Sequence, residues 1–265
     1  MHQRVFEPAK ILTMSETSSL MEFASELVTM AGRLTLEHFQ TASLDIEIKG
    51  DGSPVTQADT AAETLIRSRI HEAFPHDSVI GEEHDDVVGT SGRRWVIDPI
   101  DGTHAFTRGV GLYSNLLYLE DQDGPLIGAI NIPAIDELVV AGRDEGCFWN
   151  GARCHVSSHV ELAGAVVTTS AYDNWTEASL LALRRSGARM RTWGDGYGYV
   201  LVATGRAEAM VDPEISFWDV APMAVIISEA GGTVTQFDGS TALSDTNCIA
   251  SNTALHDQVL DLVRR

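Results

Sequence analysis

In the segment WVIDPIDGT an apolar Trp95-Val96-Ile97 run ends at Asp98, Pro99 fixes the exit of the chain, and Asp101-Gly102-Thr103 reads as a tight turn. Two carboxylates three residues apart, with the Ile100 carbonyl free between them, form a set of hard oxygen donors suited to Mg²⁺ or Mn²⁺ rather than zinc. The same residue types also suit a plain turn, while the spacing of a D-x-D-x-D-G calcium loop is not met. Further acidic positions stand where β-type runs end or helices begin: Asp59, Glu82 with Glu83, and Asp219. Carboxylates delivered from such positions can converge on one crevice.

The elements that would carry them follow from periodicity. Ser18 to Gln40 has apolar residues at Leu20, Phe23, Leu27, Met30, Leu34 and Phe39, the spacing of one helical face. After a short LDIEI strand and the KGDGSPVT loop, Thr56 and Asp59 have the spacing of a capping box. This opens a second helix with Asp59 in its first turn. Between residues 78 and 154 the runs SVIGEE, RRWVIDPI, YSNLLYLED, PLIGAINI and ELVVAG predict a largely antiparallel sheet. Beyond about residue 155 strands and helices alternate, with helices near Trp175 to Ser186, across YGYVLVATG, from about Trp218 to Ala230, and over the closing LHDQVLDLVRR. The stretch Gly151 to Val160 divides an α+β half, 18–154, from an α/β half, 155–265. Residues 1–17 read as an extension without an assigned role.

With 18 Lys+Arg against 38 Asp+Glu, the formal charge is −20, so the average surface repels nucleic-acid backbones and anionic lipid. Nucleic acid and membranes are therefore not expected as partners. Cys147, Cys154 and Cys248 are odd in number and form no C-x-x-C pair, which points to reduced thiols rather than a disulfide framework or thiolate zinc site. No secretory leader pattern or bilayer-length apolar run is present, and a cytoplasmic, unexported protein is expected. Neither a P-loop nor G-x-G-x-x-G, H-E-x-x-H or G-x-S-x-G occurs, so the chemistries of those motifs lose support.

Taken in order, SPVTQAD, IGEE, DPIDGT and WDVAP resemble the inositol-monophosphatase-like, lithium-sensitive phosphatases, over roughly residues 18 to 265. The resemblance implies the layered αβαβα sandwich shared by inositol monophosphatase and fructose-1,6-bisphosphatase. It also implies Mg²⁺-dependent phosphomonoester hydrolysis with two or three ions per site, and a homodimer. By the same resemblance Glu82, Asp98 and the Ile100 carbonyl hold the first ion, and Asp98, Asp101 and Asp219 the second. Thr103 and Asp59 position and deprotonate the attacking water. Glu83 falls behind the main ligands or on a third ion. The backbone N–H groups of Gly102 and Thr103, at a helix start, can face a phosphate oxygen. The stretch His104-Ala105-Phe106 departs from the family, many members of which carry an asparagine before the phenylalanine; His104 is a polar loop residue or a contact to phosphate or product.

Specificity is expected in Arg191 to Pro213, where Gly194-Asp195-Gly196-Tyr197-Gly198-Tyr199 is similar to the histidinol-phosphate phosphatases of this superfamily. A cationic amine and an imidazole call for an added carboxylate and an aromatic, whereas a polyol mainly needs neutral hydrogen-bonding groups. Asp195 and Asp212 are the candidates for the amine, with Glu214 a weaker one and Arg191 a brace. Asp195 also suits a helix cap and Asp212 a turn before Pro213. Inositol monophosphates or sugar phosphates are the other substrate reading, and a non-catalytic binding protein is a third.

Overall fold

A computed structural model describes residues 15–41, 44–50 and 52–264. The chain starts with α1 (Glu16–His38), the strands β1 (Ile46–Ile48) and β2 (Pro54–Thr56), and α2 (Gln57–Ala73). The expected extension lies outside the described residues up to position 14. Beyond that the expectation is corrected, because Ser15 caps α1 by accepting the Ser18 N–H and the helix begins at Glu16.

Seven strands follow: β3 (Ser78–Gly81), β4 (Arg94–Asp101), β5 (Ser114–Asp121), β6 (Gly124–Ile132), β7 (Glu137–Gly142), β8 (Gly146–Trp149) and β9 (Ala152–Arg153), with the short α3 (Thr103–Thr107) after β4. They form one sheet in chain order, antiparallel except for the parallel β3–β4 pair. The second sheet has the order β11-β10-β12-β14-β13, from β10 (Val166–Thr168), β11 (Arg189–Arg191), β12 (Ala209–Asp212), β13 (Gly232–Thr235) and β14 (Cys248–Asn252). Its helices are α4 (Glu177–Ser186), α5 (Asp195–Ala203), α6 (Phe217–Val220), α7 (Met223–Glu229) and α8 (His256–Val263).

Three apolar cores bind these elements into five layers. Leu27 and Val28 of α1 and Ile66 of α2 pack on Trp95, Leu117 and Ile127 of the first sheet. On that sheet's other side, Leu116 and Ile130 meet Val200 of α5 and Ile226 of α7, which also pack against Met210 and Ala250 of the second sheet. Leu183 of α4 and Val259 of α8 cover the far face around Val211 and Ile249. The αβαβα sandwich is thus the observed architecture, each layer burying the apolar face of the next.

One expected helix is divided. Instead of a single element over 218–230, α6 and α7 are separated at Ala221-Pro222, because Pro222 has no N–H to continue the ladder. Cys147, Cys154 and Cys248 are free and buried. Among the described residues no helix is long and apolar enough to cross a membrane.

Candidate functional site

In a regular strand, residues three apart point to opposite faces. Asp98 and Asp101 of β4 escape this rule because Asp98 pairs with Leu116 and Asp101 with Ser114, so three steps on β4 face two on β5. That bulge re-aims one side chain. The outcome is a cluster in which oxygens of Asp98, Asp101 and Asp219 lie within 4.8 Å of one another. Asp101 accepts the Ser114 hydroxyl at 2.5 Å and the Gly196 N–H of α5, which ties the first sheet to the second half of the molecule.

Asp59 and Asp219 are placed by the same local device. Each is the third residue of its helix and forms a capping box, with Thr56 on α2 and with Ser216 on α6. Asp59 Oδ2 accepts the Thr56 N–H at 2.8 Å and its hydroxyl at 2.6 Å, while Oδ1 faces the Thr103 hydroxyl at 3.4 Å. Asp219 Oδ2 accepts the Ser216 N–H at 3.1 Å. In both residues one carboxylate oxygen, Oδ2, serves the helix cap.

Thr103 begins α3 directly after Gly102, whose φ of +77° is the left-handed conformation glycine adopts readily. A Cβ there would stand 2.8 Å from Asp195 Oδ2. The Ile100 carbonyl accepts the Thr103 hydroxyl at 2.9 Å, while the Ile100 side chain packs with Ala58, Phe106 and Tyr113.

Glu82 stands apart from the three aspartates in its contacts, paired at 2.6 Å with Lys49, which also meets Glu83 at 2.8 Å. Sequence reasoning missed Lys49; its only signal was a lone cation in the loop between β1 and β2. Burial works against the Lys49 charge, but bonds to Glu82 and Glu83 outweigh it and raise its pKa.

A cavity of about 110 Å³ is lined by Asp101, Ser170, Asp195, Gly196, Tyr199, Asp212, Glu214, Ile215 and Asp219. Asp195 has φ +51°, an unusual angle that aspartate tolerates better than most residues, and its N–H donates to the Ser170 hydroxyl at 2.9 Å. Asp212 is buried, accepting the Ser170 N–H at 3.0 Å and the Tyr199 hydroxyl at 2.9 Å. Ser170 and Tyr199 were not anticipated as its partners. Arg191 is not brought to this cavity; it is exposed, bonds the Met190 carbonyl and lies over the Trp193 ring. His104 is exposed on α3, and its proximity helps to lower the Asp195 pKa against the larger effect of burial, which raises it. A larger depression of about 610 Å³ beside Trp175, Phe237 and Arg264 holds none of the carboxylate cluster.

Burial and crowding act together on the cluster. Burial, then Glu82, Asp219 and Asp101, push the Asp98 pKa far up; burial, Asp195 and Asp219 do the same to Asp101. Burial raises Asp219 to about 7 and, despite the bonds from Thr56, Asp59 to about 6. Among the described residues, buried Asp98 Oδ1 has no hydrogen-bond partner. Crowded acidic oxygens, one of them orphaned, are stable as anions only beside a cation, so the donor set fits a hard divalent ion.

The five-layer sandwich thus carries an acidic cluster where β4 meets α5 and α6. The model of the inositol monophosphatase family matches residues 16–265, and the chain belongs to that family, which makes it a phosphomonoesterase. It is 41% identical to a histidinol-phosphatase of Chlorobaculum parvum over 89% of this chain and 93% of that one. It is 40% identical to a histidinol-phosphatase of Streptomyces coelicolor over 91% and 95%. The structure of a Thermotoga maritima IMPase superposes with a TM-score of 0.85 at 30% identity, covering 93% of this chain and 97% of that one.

Proposed function

We propose that the chain hydrolyses histidinol phosphate to histidinol and phosphate, a step of histidine biosynthesis, with Mg²⁺ or Mn²⁺ held by the acidic cluster. The observation that carries this reading is the adjacency of Asp195 and Asp212 to the Asp101–Asp219 cluster in one cavity. A phosphoester whose other end is cationic fits a site whose metal end and far end are both acidic. The higher identity to proteins named histidinol-phosphatase, 41% against 30% for the IMPase, supports the same choice.

Glu82, Asp98 and the Ile100 carbonyl would hold one ion, and Asp98, Asp101 and Asp219 another; a third would involve Glu83. When bound, such ions offset the phosphate charge, activate water and stabilise the leaving alkoxide. Asp59 orients the Thr103 hydroxyl and takes the proton from the attacking water, its other oxygen fixed by Thr56. The N–H groups of Gly102 and Thr103 receive a phosphate oxygen at the start of α3. Asp195 and Asp212 bind the substrate amine, Asp212 being held by Ser170 and Tyr199. His104 borders Asp195, and Arg191 braces the segment from outside the cavity. Lithium inhibition, a homodimer and a cytoplasmic location belong to the same proposal.

The test is phosphate release from histidinol phosphate and inositol 1-phosphate in parallel, with Mg²⁺ and with EDTA. A Mg²⁺-dependent preference for histidinol phosphate is expected. Preference for inositol phosphate would retain the site and sink the assignment of Asp195 and Asp212.

A further inference from the structure

Behind Glu82 the helix α2 carries a buried ion pair that the reaction itself does not use. Glu63 is fully buried, and its Oε1 accepts from Arg67 Nε at 2.6 Å, one helical turn on. Its Oε2 accepts the Glu83 N–H at 2.7 Å. Arg67 also donates to the same turn, reaching the His84 carbonyl at 3.0 Å and the Asp85 carbonyl at 3.1 Å. Thr64 adds a contact to the His84 ring at 3.0 Å. The pair therefore grips three consecutive backbone groups immediately after Glu82.

The preceding residue is shaped to the same end. A Cβ on Gly81 would stand 2.1 Å from Glu63 Oε1 and 2.9 Å from an Arg67 nitrogen, so β3 can pass this close to the pair only as glycine. A buried ion pair seldom stabilises a fold more than apolar side chains of similar volume would. What apolar residues could not do here is bond the backbone of residues 83–85. The same helix carries Asp59 in its first turn, one turn before Glu63.

We propose that Glu63 and Arg67 are positioning residues that hold Glu82 at the distance from Asp98 and the Ile100 carbonyl required for the first metal ion. This rests on the assignment of Glu82 as a ligand made above. Groups that orient ligands are worth about 10–100-fold in metal affinity. Glu63 and Arg67 act at one remove from the ligand, through its neighbours' backbone.

The experiment is calorimetric titration of the full chain with Mn²⁺, together with melting temperature and, at saturating Mg²⁺, kcat and KM. Arg67→Lys keeps the cation beside Glu63 but gives up the forked contacts to two carbonyls; Arg67→Ala gives up all of them. Weaker Mn²⁺ binding, about 3–10-fold for R67K and about 10–100-fold for R67A and E63Q, is expected. KM for the phosphoester at saturating Mg²⁺ should stay near the wild-type value. Should R67A fail to fold, R67K and E63Q decide. Wild-type Mn²⁺ affinity in folded R67K and E63Q, with only the melting temperature lowered, would overturn the proposal and leave the pair a structural clamp. Glu82→Gln is the control: if it leaves Mn²⁺ binding unchanged, the ligand assignment itself has failed. If it weakens binding while R67K and E63Q do not, only the positioning role has.

Discussion

Asp59 Oδ1 faces the Thr103 hydroxyl at 3.4 Å across the start of two helices, while Asp59 Oδ2 is fixed by both the N–H and the hydroxyl of Thr56. In the proposed reaction, a carboxylate immobilised at one oxygen and presented at the other would be a proton acceptor with its geometry set before substrate arrives.

The first prediction concerns that pair. Asp59→Asn can still accept the Thr56 N–H but is a poor base, and Thr103→Ala removes the oriented hydroxyl. Each should lower kcat by roughly 10²–10⁴-fold with little change in KM, measured as phosphate release at saturating Mg²⁺. A loss confined to KM would move these residues from catalysis to binding.

Removing one carboxylate from the cluster should separate stability from activity. Asn at position 219 can keep the bond from the Ser216 N–H, yet relieves repulsion among oxygens gathered within 4.8 Å. In EDTA, Asp219→Asn should raise the melting temperature by roughly 2–8 °C, corresponding to about 1–2 kcal/mol. Activity with Mg²⁺ should fall by at least about 100-fold. An unchanged or lower melting temperature without metal would contradict the repulsion.

Stability without divalent ions should depend on pH in a defined direction. Burial is the main cause that raises Asp59 and Asp212 to about 6 and Asp219 to about 7, from an ordinary value of 3.8. The folded chain thus holds these protons more tightly than the unfolded chain. Their contribution is fully present below 3.8 and is lost as pH rises through 6 to 7. EDTA-treated protein should melt lower at pH 8 than at pH 5.5, and added Mg²⁺ should raise the melting temperature more at pH 8, where fewer protons compete for the oxygens. Thermal melts across pH, with and without Mg²⁺, check both signs.

Substrate choice should reside in Asp195. Asparagine tolerates the φ of +51° that alanine would not, so Asp195→Asn is the variant that tests charge alone. KM for histidinol phosphate should rise about 10–100-fold, the cost of one charge-assisted contact, with hydrolysis of a neutral phosphoester nearly unaffected. Equal losses on both substrates would assign Asp195 to the metal end. Tyr199→Phe tests Asp212 indirectly, because it strips a buried carboxylate of its 2.9 Å hydroxyl donor.

By itself the sequence determined the local pieces: the α1 stripe from Leu20 to Leu34, the capping box of Thr56 and Asp59, and the β-run that delivers Asp98. These are legible because helix and strand periods, caps and turn residues act over a few positions. The residue types near the site were equally legible, since hard-ion chemistry demands carboxylates and the chain supplies them at element ends. Only the tertiary structure decided how they meet. The bulge opposite Leu116 and Ser114 sets Asp98 and Asp101 together, and the Gly196 N–H locks Asp101 to a helix 95 residues away. Lys49 comes to lie between Glu82 and Glu83, Arg191 turns from the cavity to Trp193, and Arg67 reaches back to grip residues 84 and 85. None of these is written in a local period, because each depends on register between strands and on packing between layers. Both are settled when the whole chain buries its apolar faces at once.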